Sequence, residues 1–154
     1  MKERKRKRGK VSECSCAIDT CDDDFVPLLR KALVRARKVH VCAECARDIL
    51  AGESYDLRVY VDDRSRYDLE KHEYVAHRCV VRHKTCLDCA SVREALFCTW
   101  HHGMLWEELD EEINSSGGTL FSSSCMRLLT PRARDLVCDS IQEYWESEEE
   151  GEDE

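Results

Sequence analysis

The segment Lys84-Thr85-Cys86-Leu87-Asp88-Cys89 contains a C-x-x-C pair, and Cys42-Ala43-Glu44-Cys45 supplies an earlier one. Two such pairs can deliver four thiolates to one tetrahedral zinc ion, with bonds of about 2.3 Å. Buried free thiols are the alternative, but two independent pairs favour a metal. Iron also accepts four thiolates, so the sequence leaves the choice of metal open. We therefore predict a metal site, with zinc favoured, whose ligands are Cys42, Cys45, Cys86 and Cys89.

The sequence between the two pairs predicts a β-hairpin. Residues 54–61 alternate between apolar and polar side chains, residues 74–81 form a second β-rich run, and the polar residues 62–66 are the expected turn. The second pair opens a predicted helix over residues 88–97. A knuckle, a hairpin and a helix that carries the last ligands make a treble-clef arrangement. The predicted fold is therefore α+β, with a small zinc-stabilised treble-clef-like core, flanking helices and charged disordered termini.

The flanking sequence predicts further helices. Pro27 is suited to the first position of a helix over residues 27–38, and a helix over 105–113 ends at the glycine-containing residues 114–118. Thr130 and Pro131 begin an amphipathic C-terminal helix. The predicted divisions are a basic disordered arm (1–13), a zinc-binding domain with an N-terminal helix (14–114), a linker or irregular segment (115–129), the C-terminal helix (130–146) and an acidic tail (147–154).

Composition predicts that the chain needs a source of stability besides its apolar core. Of 154 residues, 36% are charged, only 7% are aromatic and 11 are cysteine. No apolar segment follows the basic residues 1–10, which argues against a secretory signal, and no apolar run approaches the ~20 residues that cross a bilayer. We therefore expect a soluble cytoplasmic protein without a membrane partner, whose thiols are reduced.

A wider pattern around the two pairs resembles a group of small uncharacterised bacteriophage and prophage proteins that are rich in cysteine. The shared outline is a C-x-E-C knuckle, a G-E-x-Y turn at residues 52–55, and T-C-x-x-C-x-x-(L/V)-R at residues 85–93, within a likeness over residues 14–108. Ala46 departs from the glycine that is common in those proteins. The resemblance implies a zinc-binding phage protein in the host cytoplasm and brings no established activity.

The same outline suggests a second zinc site. Cys14 and Cys16 precede the core, while Cys98 and His102 follow it, and together they would make a Cys3His centre. His101 is an equal candidate by spacing, and Cys21 could replace one thiolate. The alternative is a flexible N-terminal loop without metal, so the sequence predicts one zinc ion and allows two.

The remaining cysteines and histidines are better explained by packing than by metal binding. His77 and Cys79 share an apolar strand face and are expected in the core. His83, like His72, lies among charged residues and is expected to be exposed. Cys125 and Cys138 are expected to be buried thiols.

An enzymatic alternative arises because Cys42-Ala43-Glu44 with Cys86 and Cys89 also resembles the zinc nucleobase and nucleoside deaminase signature. In that chemistry three ligands leave one position for water, and Glu44 would shuttle protons. The hypothesis makes Cys45 a bystander, and Thr85 stands where the motif has proline. A structural zinc fills all four positions with protein ligands, so we expect a non-catalytic module.

Two kinds of partner are compatible with the charge pattern. Nucleic acid is favoured by the basic residues 1–10 and by the cations of the predicted helix over 27–38, but the body of the chain is acidic. Protein is favoured by the acidic tail and by three tryptophans, Trp100, Trp106 and Trp145. We interpret the chain as a zinc-stabilised phage accessory protein that binds a protein partner, such as a host factor, with nucleic-acid binding as the alternative.

Overall fold

A computed structural model describes residues 18–19, 28–99, 102–119 and 121–151. Their architecture is α+β, as predicted. No helix among the described residues has both the length and the apolar content needed to span a membrane. In chain order the elements are β1 (Ile18–Asp19), β2 (Leu28–Arg35), β3 (His40–Val41), β4 (Asp48–Ile49), β5 (Ser54–Asp68), β6 (Glu73–Cys86), α1 (Leu87–Leu96), β7 (Phe97–Thr99), α2 (Leu105–Ser116), α3 (Ser123–Met126) and α4 (Pro131–Gly151).

The long hairpin β5–β6 forms the centre of an antiparallel sheet with the order β2-β5-β6. Its register runs without interruption from Tyr55 opposite Cys86 to Asp68 opposite Glu73. The predicted turn at residues 62–66 is therefore wrong, because those residues are paired within β5. The chain turns instead after Asp68, whose carboxylate accepts a hydrogen bond from the Glu70 amide at 2.9 Å, a local bond typical of turns.

The predicted helix over residues 27–38 is also wrong, because residues 28–35 form strand β2 and pair with β5. Ala32 and Val34 are half-buried and Ala36 is buried, whereas the intervening Leu33 is 71% exposed. This period of two suits a strand. Leucine, lysine and arginine are good helix formers, but helix propensity is a small preference, and backbone pairing along β5 outweighs it here.

The sheet buries a polar face against α1. Asp56 and Arg58 of β5 lie beside Thr85 of β6, and all three residues are buried. Arg93 of α1 has no exposed side-chain surface; its guanidinium donates to Asp56 Oδ2 at 2.5 Å and to Thr85 Oγ1 at 3.3 Å. A charged network thus occupies a position that an apolar cluster fills in most sheets.

The apolar core lies between α1, α2 and α4. The predicted helix over 88–97 is confirmed within one residue, and the helix predicted over 105–113 extends to Ser116 and ends at Gly117, which has a positive φ of 63°. Buried apolar positions on these helices include Val92, Leu96, Leu105, Leu109, Ile113, Ala133 and Val137.

The C-terminal helix begins as the sequence predicts and continues further. Thr130 Oγ1 accepts a hydrogen bond from the Ala133 amide at 3.2 Å, which is an N-cap interaction. The helix runs to Gly151 and so includes part of the predicted acidic tail. The segment predicted as a linker, 115–129, contains α3 and contributes Cys125 and Leu129 to the core.

We predict that Asp56→Ala lowers the free energy of unfolding by roughly 3–5 kcal/mol, because it removes the carboxylate that balances a fully buried Arg93. Glu94→Ala is the matched control, since Glu94 pairs with Lys31 and Arg58 but its side chain is 53% exposed. That change should cost no more than about 1 kcal/mol. Urea denaturation measures both values, and equal costs would contradict a special role for the buried pair.

Candidate metal centre

Cys42 and Cys45 lie in a tight turn between the short strands β3 and β4. The Cys42 amide donates to the Arg47 carbonyl at 2.8 Å, and the Ala46 amide donates to the Cys42 carbonyl at 3.0 Å. Ala46 has a φ of 58°, a left-handed conformation that costs a residue with a Cβ roughly 1–2 kcal/mol. The knuckle keeps its shape with alanine at a position that favours glycine.

The other two cysteines lie where β6 becomes α1. Cys86 is the last residue of β6, and Cys89 lies in the first turn of the helix. The amide of Ala43 donates to the Lys84 carbonyl at 2.9 Å, so a backbone hydrogen bond joins the knuckle to β6. The partial positive charge at the start of α1 favours thiolates at this junction.

The four thiols converge on one point. Their sulfur atoms all lie within 4.8 Å of one another, and the Cys45 and Cys86 sulfurs are 3.9 Å apart. All four cysteines are free of disulfide bonds. A zinc ion with bonds of about 2.3 Å needs sulfur separations of roughly 3.8 Å, so this donor set fits the ion. The structure therefore brings the predicted first site together as a possible metal site.

Two N–H groups donate to sulfurs of the cluster. The Cys86 amide donates to Cys42 Sγ, and the Trp106 indole donates to Cys89 Sγ, both at 3.3 Å. Such hydrogen bonds stabilise negative charge on sulfur and orient the ligands of a metal. Trp106 is one of the tryptophans that favour a protein partner in the sequence, and the structure places its indole against the thiols.

The cluster distributes protons unequally before a metal binds. Hydrogen bonds from the Cys86 and Cys89 thiols lower the pKa of Cys42 far below its usual range. The bond to Cys42 raises the pKa of Cys89, and burial raises the pKa of Cys45 to about 11. The metal-free cluster therefore holds a thiolate at Cys42 and protonated thiols at Cys45 and Cys89.

A cavity of about 510 Å³ adjoins the thiols. Its lining includes Cys45, Cys89 and Trp106 on one side and Leu136 of α4 on the other. Cys42, Cys86 and Cys89 are each 1% exposed, whereas Cys45 is exposed. The site is therefore closed by protein on three ligands and reachable from solvent at the fourth.

The second predicted site is only partly described. Cys14 and Cys16 lie outside the described residues, as do the alternatives Cys21 and His101, and the side chain of Cys98 is also outside the described part of the chain. His102 is described, and its ring stacks on Tyr60 with centroids 4.3 Å apart.

Expectations for four single residues are wrong. His83 is 8% exposed, because it lies on the buried polar face of the sheet, between outward-facing Arg82 and Lys84. Cys125 is buried but disulfide-bonded, and Cys138 is free but exposed. Cys79, expected in the core, is half-buried. Strand pairing with β5 decides which residues of β6 face inward, and the local sequence does not reveal that pairing.

No protein-family model, curated protein or solved structure matches the chain. The case for a metal centre therefore depends on the donor set, on the sulfur separations and on the N–H groups that donate to the sulfurs. These features support metal binding at the four cysteines.

We predict that metal affinity rises at least about 100-fold per pH unit between about pH 6.5 and 8, because binding displaces at least the protons of Cys45 and Cys89. The raised pKa of each thiol keeps it protonated throughout this range. Cys42 adds no slope, because its thiol is already ionised. Metal-dependent stability should therefore grow as pH rises and be lost on acidification. Competition with a chromophoric chelator measures how metal affinity changes with pH. The control variant Cys138→Ser should show the same pH dependence. A tenfold change per pH unit would contradict the prediction, because it would show that only one proton is released.

Proposed function

We propose that the four cysteines bind one zinc ion as a structural centre, and that the resulting treble-clef-like core forms a non-catalytic interaction module. The observation that carries the proposal is the convergence of four free thiols from two C-x-x-C pairs that are separated by 40 residues. Zinc suits a closed tetrahedral set of thiolates. Such a centre contributes folding free energy, which suits a chain with few aromatic residues.

The geometry favours a structural centre over a deaminase-like one. Cys45 lies with the other three thiols, which supports a role as the fourth ligand and not as a bystander. Glu44, the proton shuttle of the deaminase hypothesis, accepts hydrogen bonds from the amides of Gly103 at 3.2 Å and Leu105 at 3.1 Å. Each carboxylate oxygen thus accepts one hydrogen bond at the start of α2. These two hydrogen bonds support a positioning role for the Glu44 carboxylate.

The edge strand β2 is the surface that best suits a protein partner. Leu28, Leu29 and Leu33 are 46%, 58% and 71% exposed, and in the described part of the sheet β2 pairs only with β5. Such an edge can accept an extended peptide as an additional strand, and exposed leucines supply apolar contacts. The exposed cations Arg30 and Arg37 favour a segment that also carries acidic residues.

The cellular setting of this module follows from the sequence resemblance. We place the protein among phage accessory proteins that act on a host factor in the cytoplasm. Free thiols at all four ligand positions agree with a reducing compartment, whereas the disulfide at Cys125 does not agree with the expectation that the thiols are reduced.

Nucleic acid is the second candidate partner, and one observation favours it. Arg30 of β2 and Arg82 of β6 both pair with Val59, so two exposed cations flank one apolar residue across the sheet. Such a surface can contact phosphates. Against it, Lys31 pairs with Glu94 at 2.7 Å and Arg35 donates to the Gly52 carbonyl at 3.1 Å, so two cations of β2 have internal partners.

We predict that the zinc-loaded chain loses cooperative unfolding when a strong chelator removes the metal, because the knuckle and α1 are then no longer held together. Near-ultraviolet circular dichroism, sensitive to Trp106 beside Cys89, follows the loss. Cys45→Ser should reproduce it in part, whereas Cys138→Ser, which changes an exposed free cysteine, should not. Unchanged cooperative unfolding after verified metal removal would contradict a structural role for zinc.

We predict that a photo-cross-linking amino acid at Leu33 captures a protein from bacterial lysate, because Leu33 is the most exposed leucine of β2. The same group at the exposed Asp139 of α4 is the matched control. Adducts should be sensitive to protease and resistant to nuclease. Nuclease-sensitive adducts would favour the nucleic-acid candidate, and equal capture from both positions would show that β2 is not the binding surface.

A further inference from the structure

A second group of metal-ligating side chains lies beside the thiol cluster. It consists of Glu44 from the knuckle, His83 from β6 and His102 from the turn before α2, and one ligand atom from each lies within 4.8 Å of the other two. These residues come from three separate parts of the chain, and the fold brings them together. Two imidazoles and one carboxylate are a common donor set for catalytic zinc and for non-haem iron.

The environment of Glu44 points to a cation at this place. Its side chain has no exposed surface, and its Oε1 lies 3.8 Å from Nδ1 of His83. Within the described residues no lysine or arginine forms an ion pair with this carboxylate, although Arg93 lies close enough to attract it. A buried carboxylate is stable as an anion only where a positive partner or sufficient hydrogen bonds offset its lost hydration. Two backbone amides supply part of that compensation.

The two histidines lie close together beside Glu44. The His83 side chain is 9% exposed, and the His83 and His102 rings are 4.8 Å apart between centroids. A neutral imidazole offers a lone pair to a metal. Tyr60 stacks on His102 and restrains the orientation of its ring.

We propose that Glu44, His83 and His102 bind a second divalent transition metal, which is distinct from the ion held by the four cysteines. The ligand class is a metal of the zinc or iron(II) type, because nitrogen donors disfavour calcium and magnesium. Three protein ligands leave at least one coordination position for water or another exchangeable ligand. The second site therefore differs in kind from the closed thiol site, whose four positions are all filled by protein.

Closing this site requires only small side-chain movements. Bonds of about 2.0–2.1 Å to nitrogen and oxygen place neighbouring tetrahedral ligands roughly 3.3 Å apart. The separation of 3.8 Å between Glu44 and His83 must therefore shrink by about half an ångström. All three ligand atoms lie within 4.8 Å of one another, so no separation must shrink by more than about 1.5 Å.

The surrounding charges nearly balance for a cation at this position. Arg93 and Arg58 lie close enough to His83 to oppose positive charge, whereas the thiolate of Cys42 and the carboxylate of Asp56 favour it.

Helix capping alone would explain Glu44 but not the two histidines. Its contacts with Gly103 and Leu105 use one lone pair of each oxygen, and each oxygen retains a second lone pair. A cap needs no imidazole within 4 Å, yet His83 approaches Oε1 from the sheet, and His102 lies against His83. The convergence of three different donors is the feature that a metal accounts for.

The test titrates the reduced full-length chain with Co²⁺, after removal of resident metal, and counts bound ions by native mass spectrometry. Cobalt in the thiol site gives sulfur-to-cobalt charge-transfer absorption, whereas cobalt bound by histidine and glutamate gives only weak visible bands. We expect His83→Ala and Glu44→Gln each to bind one ion fewer than the wild type while retaining the charge-transfer absorption. That absorption shows that the thiol site, and with it the core, is still formed. Glu44→Gln also keeps an oxygen for capping, so its loss of one ion would report the ligand role.

Two controls separate this proposal from its alternatives. His72→Ala, which changes an exposed histidine, should bind as many ions as the wild type. The double variant Cys14→Ser/Cys16→Ser should also do so, because neither cysteine belongs to the proposed site. An ion lost in the cysteine double variant and retained in His83→Ala would overturn the proposal in favour of the Cys3His centre. A wild-type chain that binds a single ion at saturating Co²⁺ would overturn it as well, without affecting the thiol site.

Discussion

The convergence of the four thiols of Cys42, Cys45, Cys86 and Cys89 is the constraint on which the rest of the structure depends. Strands β3 and β4 contain two residues each, and a ribbon of that size has no stability of its own. Ile49 is the only buried apolar residue in these two strands. The knuckle therefore keeps its shape through its contacts at the β6–α1 junction. A metal at this point would hold together two parts of the chain that share little hydrophobic surface.

The same junction fixes the register of the hairpin. Tyr55 lies opposite Cys86, and Asp56 lies opposite Thr85, so the position of Cys86 and the ion pair between Asp56 and Arg93 depend on one pairing of β5 with β6. A slip of one residue would turn Asp56 outward and leave Arg93 buried without its carboxylate. Buried charges are poor sources of net stability, but here they penalise the wrong register. Because few large apolar side chains are available, the register of the hairpin is specified by the buried ion pair and by the position of the Cys86 thiol.

The sequence predicted those parts of the structure that short-range patterns encode. Spacing alone identified the four thiols, and capping and periodicity located α1, α2 and the start of α4. The sequence predicts a helix for strand β2 because its strand character arises from pairing with residues 19 to 32 positions later in the chain. His83 was missed as a buried residue for a related reason. Its charged neighbours suggested exposure, and only the pairing of β6 with β5 determines that Arg82 and Lys84 face outward while His83 faces α1.

Glu44 links the knuckle to the helical layer, because it lies between two cysteines of the thiol cluster and binds the amides at the start of α2. Any movement of Cys42 and Cys45 must therefore move the carboxylate that caps this helix. His83 and Thr85 extend the linkage along β6 to Arg93 of α1. The four thiols, the carboxylate with its two histidines, and the buried ion pair thus form one contiguous polar layer between sheet and helices. If any one of these three groups loses its order, buried polar atoms of the other two lose their hydrogen-bond or ion-pair partners. The three groups should therefore fold and unfold together.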